Sequence, residues 1–179
     1  TVVVIAKKED FILEVGVADL VALLGDGSFR ATQGILQKII SASKDKKITL
    51  SEVETVTGAP RRGIVNSFIE ALAGKKTENA VKALHQAIEA DVDVKVFLKL
   101  VLRKLRFVLL LRYAKEMEKE IADEVSAEDL VFLKKLATAN VSAISSALLS
   151  EFLLSYDAVD RAYIPALPIE LALIKFFER

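Results

Sequence analysis

The sequence contains no cysteine, which excludes a disulfide framework, a thiolate metal site and a cysteine nucleophile. It has a single histidine, so a histidine cluster cannot hold a metal ion. It also lacks an excess of either charge, because 25 basic residues balance 25 acidic ones. No overall field therefore draws nucleic acid or an anionic membrane to the chain. The missing cysteines suit a reducing compartment, and we expect a cytoplasmic protein.

The motifs of several common enzyme sites are absent as well. The chain has no G-x-x-x-x-G-K-[ST], no G-x-G-x-x-G, no H-E-x-x-H and no G-x-S-x-G. Glu89 is the only residue at a spacing that would let it bind the same metal ion as His85. Two ligands are fewer than the three or four of a metal site, so we interpret His85 as a surface histidine. We predict no catalytic residue, no metal site and no cofactor within this chain alone.

The most apolar stretch is VFLKLVLRKLRFVLLLRY, residues 96–113. A helix that spans a membrane needs about 20 nearly uncharged residues, whereas this stretch carries five basic ones. Those residues are Lys99, Arg103, Lys104, Arg106 and Arg112. We predict a helix packed into the core, with basic side chains that reach past its edges, and no contact with a membrane. The opening TVVVIAKKEDFILE lacks the order of a signal peptide, so we expect no targeting segment.

Apolar residues recur at spacings of three and four along almost the whole chain, which predicts an all-α protein. The turns are marked by 7 glycines and 3 prolines, and we expect about nine or ten helices with a hinge near Gly58. The turn Gly25-Asp26-Gly27 precedes a helix from about Ser28 to Ala42, capped by Ser28 or Asp26. That helix is expected to bury five apolar side chains: Phe29, Ile35, Leu36, Ile39 and Ile40.

Further helix starts follow from local signals. Thr49 and Glu52 have the spacing of a capping box, whose helix ends at Gly58. Pro60 suits the first turn of the next helix. Thr77 is expected to cap the following helix, and Asp91 or Asp93 to start a long helix from about Val94 to Ile121. Ser126 and Asn140 are expected to cap two further helices. The last helix is expected to run from Ile169 to Phe177.

Arg30 is placed unusually, because the helix dipole favours acids over bases in a first turn. One explanation is functional: a guanidinium offers planar donors to a phosphate across a domain boundary. The other explanation is structural, with Arg30 paired to a carboxylate such as that of Asp26. The chemistry of this segment alone favours the pairing.

The segment GDGSFRATQGILQKIISA resembles the G-S-x-R-D-A-L-x-x-x-D-Q motif in the lid domain of the gamma/tau subunit of the bacterial DNA polymerase III clamp loader. Downstream, KITLSEVETVTG resembles the closing helix of that lid, and the stretch from SFIEALAGKK to RFVLLLRY resembles the first collar helices. The ending LLSEFLLSYDAVDRAYIPALPIELALIKF resembles the last two. The resemblance implies a three- to four-helix AAA+ lid domain over residues 1–58 and a helical-bundle collar, the oligomerisation domain, over residues 59–179.

In that family the lid arginine is the sensor-2 residue, which reaches ATP. The resemblance gives this role to Arg30, with Gly27 and Ser28 shaping the turn, whereas the family aspartate after the arginine is here Ala31. It also implies that the nucleotide-binding domain lies outside this sequence. ATP with Mg is thus a cofactor of the intact AAA+ ATPase subunit within the DNA polymerase III holoenzyme, and this chain alone is no enzyme.

The partners that the resemblance implies are other clamp-loader subunits, namely gamma/tau copies, delta and delta-prime, bound through the collar. The sliding clamp and primed DNA are expected to meet the chain only through the intact complex. Candidate contact surfaces are the helix over residues 95–113 and the last helix, with Phe176 and Phe177. One alternative is an unrelated all-α interaction module with a structural Arg30. A second is direct nucleic-acid binding by the basic residues of 96–113 together with Arg61 and Arg62.

Overall fold

The fold is that of a computed structural model, which describes residues 2–139 and 143–178. These residues form 11 α-helices, and 74% of the described residues are helical. The two strands described are two residues long and pair in parallel: β1 (Ile12–Leu13) and β2 (Lys47–Ile48). The all-α prediction is confirmed.

The chain forms two compact units. The first contains Thr1–Ala59 and Glu120–Ala127, and the second contains Pro60–Lys119 and Glu128–Arg179. The division expected from the sequence, after residue 58, assigns every later residue to one domain, whereas Glu120–Ala127 packs with the first unit. No local pattern in that charged segment marks it as part of a domain that begins more than a hundred residues earlier.

The first unit is built from four helices and the strand pair. The helices are α1 (Val2–Lys8), α2 (Val17–Leu24), α3 (Phe29–Ala42) and α4 (Leu50–Thr57). The fully buried side chains include Val17, Val21, Ile39, Ile48 and Val53. Because α3 contacts α1, α2 and α4, its orientation is fixed by packing on three neighbouring helices.

Local capping sets where two of these helices begin. Ser28 is the N-cap of α3, and its Oγ accepts a hydrogen bond from the backbone N of Ala31 at 3.3 Å. In α4 the predicted capping box is confirmed, because Thr49 N donates to Glu52 Oε2 at 2.8 Å and Glu52 N donates to Thr49 Oγ1 at 3.3 Å. Each bond satisfies an amide that the helix itself leaves without a partner.

Seven helices follow along the chain. They are α5 (Arg62–Ala73), α6 (Thr77–Glu89), α7 (Val94–Tyr113), α8 (Glu118–Glu124), α9 (Ala127–Thr138), α10 (Ser146–Val159) and α11 (Leu167–Phe177), with a 3₁₀ turn at Lys115–Met117 before α8. In the second unit Phe68 packs edge-on against Phe97 and Phe152, at ring centroid distances of 5.2 and 5.8 Å. These three rings join α5, α7 and α10 around one core.

Several predicted helix boundaries need correction. Pro60 precedes α5 instead of opening it, since that helix begins at Arg62. Thr77 is the first residue of α6, and the cap position belongs to Lys76, which makes no capping bond. The helix predicted up to Ile121 stops at Tyr113, because Ala114 takes φ −136° and ψ 70° and so leaves the helical region.

Other boundaries follow the side-chain bonds that the structure forms. Asp93 caps α7, because its Oδ1 accepts from Val96 N at 2.9 Å, whereas Asp91 stands outside the helix with φ 55°. Ser126 directly precedes α9, as expected. The helix expected after Asn140 is capped by Ser145, whose Oγ accepts from Leu148 N at 3.3 Å, and Asn140 itself lies outside the described residues.

Candidate functional site

The turn between α2 and α3 carries the candidate site. Gly25 closes α2, with its N–H donating to Val21 O at 3.0 Å, and Ser28 N donates back to Gly25 O at 2.9 Å. Between them Asp26 and Gly27 both take positive φ, of 52° and 74°. This conformation is open to glycine at no steric cost and is tolerated by aspartate. The pair reverses the chain within two residues and brings Ser28 to the cap of α3.

Arg30 lies in the first turn of α3 and is exposed. Within the described residues its guanidinium has no hydrogen-bond or ion-pair partner, so the pairing with Asp26 is not formed. The first turn of α3 contains no acidic side chain, and neither does the rest of that helix. Five donor N–H groups are thus displayed at a helix start, where backbone amides and the helix dipole also favour an anion.

The exposed face of α3 continues this pattern for two further turns. Gln33, Gln37 and Lys38 follow Arg30 at helical spacing, and all are exposed. An open groove of about 440 Å³ lies along the same helix beside Gly34. The face therefore offers cationic and amide groups without a carboxylate that would repel a phosphate.

Phe29 departs from the expected inward face of α3. Its side chain is 58% exposed, whereas Leu36 and Ile39 are fully buried and Ile35 and Ile40 are half-buried. Helical spacing identifies the face of a helix but not how far along its axis the core extends. In α3 the buried residues begin two turns after Phe29, so the end of the helix that carries Arg30 stands clear of the core.

The basic residues of α7 do not form one stripe for nucleic acid. Lys104 Nζ contacts Asp129 Oδ1 and Asn66 Oδ1, each at 2.7 Å, and burial lowers the pKa of Lys104 despite the attraction of Asp129. Arg112 donates to three backbone oxygens of the second unit. Arg62 pairs with Glu128. Lys104 and Arg112 are therefore engaged inside the fold and Arg62 is ion-paired at the surface, which weakens the case for direct nucleic-acid binding.

Exposed apolar residues lie on α10, α11 and their connecting loop, whereas the contact surfaces predicted from the sequence are the helix over residues 95–113 and the last helix. We call these residues the α10–α11 face: Leu153, Leu154, Tyr163, Ile164, Leu167, Leu171 and Ile174. Tyr163 is 99% exposed at the tip of the loop, and an open groove of about 330 Å³ runs past Leu154 and Leu171. Phe176 and Phe177 are only half-buried, and their rings pack edge-on with centroids 5.1 Å apart. In α7, by contrast, about half of the apolar side chains are buried in the core.

His85 is on the surface, 54% exposed, and its Nε2 lies 3.4 Å from Glu170 Oε1 rather than beside Glu89. Among residues 2–139 and 143–178, no group of three side chains could hold a metal ion. No helix in those same ranges has the length and apolar character needed to cross a membrane.

Comparisons with known proteins show a likeness of fold and none of sequence. No protein-family model matches the chain, and no curated protein matches its sequence. Among solved structures, the chain is similar to the DNA clamp loader delta protein YqeN of Bacillus subtilis, with a TM-score of 0.54 and 17% sequence identity. The match covers 99% of this chain and 55% of that protein, so the chain spans about half of its length. At this identity the likeness establishes a shared fold: the chain has a clamp-loader-related, all-α fold along nearly its whole length.

Proposed function

We propose that the chain is the lid and collar of a subunit of the bacterial DNA clamp loader, and that its function in DNA replication is to assemble this complex. The fold likeness to a clamp loader delta protein over 99% of the chain supports this proposal. The gamma/tau type is favoured by the resemblance of GDGSFRATQGILQKIISA to the lid motif of that subunit. Because the solved neighbour is a delta protein, a delta-type subunit is the second candidate.

The lid in this proposal is residues 1–58 and the collar is residues 59–179. The lid carries the arginine and the collar carries the contact surface. Glu120–Ala127 lies within the range assigned to the collar but packs with the first unit.

Arg30 is proposed to contribute the sensor-2 contact to ATP, with Gly27 and Ser28 holding the turn that presents it. The observation that carries this step is the exposed guanidinium without a carboxylate partner at the start of an acid-free helix. A buried Arg30 paired with a carboxylate would instead favour an unrelated interaction module. Ala31 stands where the family has an aspartate, so any support from that aspartate is absent here.

The described residues fit one part of an ATP site. Arg30 supplies a cationic donor for a phosphate oxygen, while no cluster of metal-ligating side chains for Mg occurs in residues 2–139 and 143–178. The phosphate loop and the ligands of Mg are therefore expected in a separate nucleotide-binding domain of an AAA+ ATPase subunit. ATP bound there would supply the phosphate oxygens to which the Arg30 guanidinium would donate.

Assembly is proposed to use the α10–α11 face, with gamma/tau copies, delta or delta-prime as partners. Exposed apolar residues concentrated on one hairpin are typical of a protein interface. The pair Lys175 Nζ to Glu151 Oε2, at 2.8 Å, lies beside the groove, so the polar edge of the face is locally neutral. Such an edge opposes neither an acidic nor a basic partner.

Size-exclusion chromatography with light scattering tests assembly. The chain, alone and mixed with delta and delta-prime, should give species larger than a monomer in a concentration-dependent way. A strict monomer that binds none of the sister subunits contradicts the collar assignment. In the parent gene, a G-x-x-x-x-G-K-[ST] motif ahead of Thr1 is expected for the gamma/tau type.

A further inference from the structure

Gly25, at the C-terminal end of α2, packs closely against Thr32 in the first turn of α3. A Cβ atom added to Gly25 would lie 2.0 Å from Thr32 Oγ1 and 2.9 Å from both Thr32 Cα and Thr32 Cβ. Real Cβ atoms essentially never come within 3.0 Å of another heavy atom, and two of these neighbours cannot rotate away. Only glycine allows α2 to end at this distance from α3.

Thr32 cannot easily yield, because its side chain is tied to the turn. Thr32 Oγ1 donates to Ser28 O at 2.9 Å, and that oxygen also accepts from Thr32 N at 2.9 Å. Ser28 N in turn donates to Gly25 O at 2.9 Å. Gly25, Ser28 and Thr32 thus form one closed set of contacts around the turn that leads into Arg30.

The crowding is specific to Gly25. Gly27 has a positive φ, but a Cβ added there meets nothing within 4 Å. Gly34, later in α3, and Gly63, in α5, are equally open. Gly27 is therefore explained by its backbone conformation, whereas Gly25 is explained by close packing.

We infer that the contact between Gly25 and Thr32 sets the position from which Arg30 presents its guanidinium. Arg30 lies two residues before Thr32 in the same turn of α3, and no side-chain bond within the described residues holds it. Its placement therefore depends on the backbone that Gly25 and Thr32 fix. The inference rests on the proposed ATP role of Arg30, and it makes Gly25 and Thr32 positioning residues that do not touch the nucleotide.

The test is a double-mutant cycle in the full-length subunit, with the dissociation constant of Mg-ATP measured by calorimetry. Arg30→Ala should weaken ATP binding by about tenfold or more, the factor that corresponds to a hydrogen bond between charged groups. Gly25→Ala should weaken it several-fold, because α3 must move to admit the methyl group. In the Arg30→Ala background, Gly25→Ala should have no further effect, since the group that it displaces is gone.

A rescue and a control complete the design. Adding Thr32→Ala to Gly25→Ala removes the Oγ1 atom that would lie 2.0 Å from the new Cβ. The remaining contacts, at 2.9 Å to Cα and Cβ of residue 32, need only a small shift, so the affinity for ATP should partly return. Gly63→Ala introduces the same methyl group into open space and should leave the ATP affinity unchanged. Should Gly25→Ala fail to fold, Thr32→Val puts a slightly larger methyl group in place of Oγ1, and the same loss that depends on Arg30 is expected.

Each result bears on a different claim. If Arg30→Ala leaves ATP affinity unchanged, the proposed ATP role is wrong and the positioning inference falls with it. If Arg30→Ala weakens binding but Gly25→Ala does not, the inference alone is overturned. An equal loss from Gly25→Ala with and without Arg30 would show a general structural effect and would also overturn it.

Discussion

Lys104 Nζ lies 2.7 Å from Asp129 Oδ1, and both side chains are almost completely shielded from solvent. The lysine also donates to Asn66 Oδ1 at 2.7 Å, so the cluster joins α5, α7 and α9. Burial of a charge is unfavourable, and this pair is tolerated because each charge has the other as a partner. It gives the second unit a polar contact shared by three helices.

Removing one charge of this pair should be more harmful than removing both. We expect Asp129→Ala to lower the free energy of unfolding by about 3–5 kcal/mol, because it leaves Lys104 buried without its partner. The double variant Lys104→Met with Asp129→Leu should be less destabilised than Asp129→Ala alone. Urea unfolding of the three proteins measures this, and an Asp129→Ala variant as stable as the wild type would contradict the account.

The same pair predicts a dependence of stability on pH. Burial lowers the pKa of Lys104 from 10.5 in the folded state. As the pH rises toward 10.5, the folded protein therefore loses the proton of Lys104 while the unfolded chain still keeps it. Where the unfolded state binds more protons, stability rises with pH. Relative to Lys104→Met, the wild type should therefore gain stability as the pH rises toward 10.5. Thermal unfolding of both proteins over alkaline pH checks this, and a difference that stays constant would argue against it.

Arg112 fastens the end of α9 to the chain that follows. Its guanidinium donates to Leu136 O and Ala137 O at 3.1 Å each, and to Ile144 O at 2.7 Å. Lysine cannot reach three oxygens, so Arg112→Lys should cost about 1–3 kcal/mol by leaving part-buried carbonyls without donors. Hydrogen exchange should speed up in the last turn of α9. Arg106→Lys, at an exposed position of the same helix, is the control and should change neither quantity.

The capping box of α4 predicts a smaller and local effect. Thr49→Ala removes the oxygen that accepts from Glu52 N, and the free energy of unfolding should fall by about 0.5–2 kcal/mol. Thr55→Ala, on the exposed side of the same helix, should change it by less than about 0.5 kcal/mol. Equal effects of both substitutions on chemical unfolding would show that the cap is not the cause.

The α10–α11 face predicts which surface substitutions disturb assembly. Leu171 is 56% exposed on α11. Leu171→Glu would place a charge in the proposed interface, so binding of sister subunits should weaken by about tenfold or more. An interface hot spot contributes about 2 kcal/mol, which corresponds to a loss of that size. Val131, on α9, is 69% exposed but lies outside that face. Val131→Glu should leave the same affinity unchanged in light-scattering or calorimetric titrations. The reverse order would move the interface away from α10 and α11.

Signals that act within a few residues could be interpreted from the sequence. Thr49 and Glu52 are three residues apart, and Ser28 stands directly before the helix that it caps, so both caps follow from local spacing. The end of α7 at Tyr113 could not be predicted in the same way, because the residues after Ala114 are themselves good helix formers.

Contacts between residues that are distant in the sequence could not be predicted, for a different reason. Lys104 and Asp129 are 25 residues apart, and Arg62 and Glu128 are 66 apart. Helical periodicity shows which face of a helix is apolar but not which charged residue of another helix it will meet. The exposure of Arg30 and Phe29 depends on the same missing information, since it is set by how far the core extends along α3.

The proposed role of Arg30, to couple the lid to ATP in a clamp-loader subunit, is tested by ATP-dependent clamp loading with the Arg30→Ala variant. The variant should assemble with its sister subunits as the wild type does. Its rate of loading a sliding clamp onto primed DNA at limiting ATP should fall by about tenfold or more, because a hydrogen bond between charged groups is lost. Arg30→Lys should retain only part of the rate, because an ammonium cannot reproduce the planar donors of arginine. Normal loading by the Arg30→Ala complex at every ATP concentration would contradict the account.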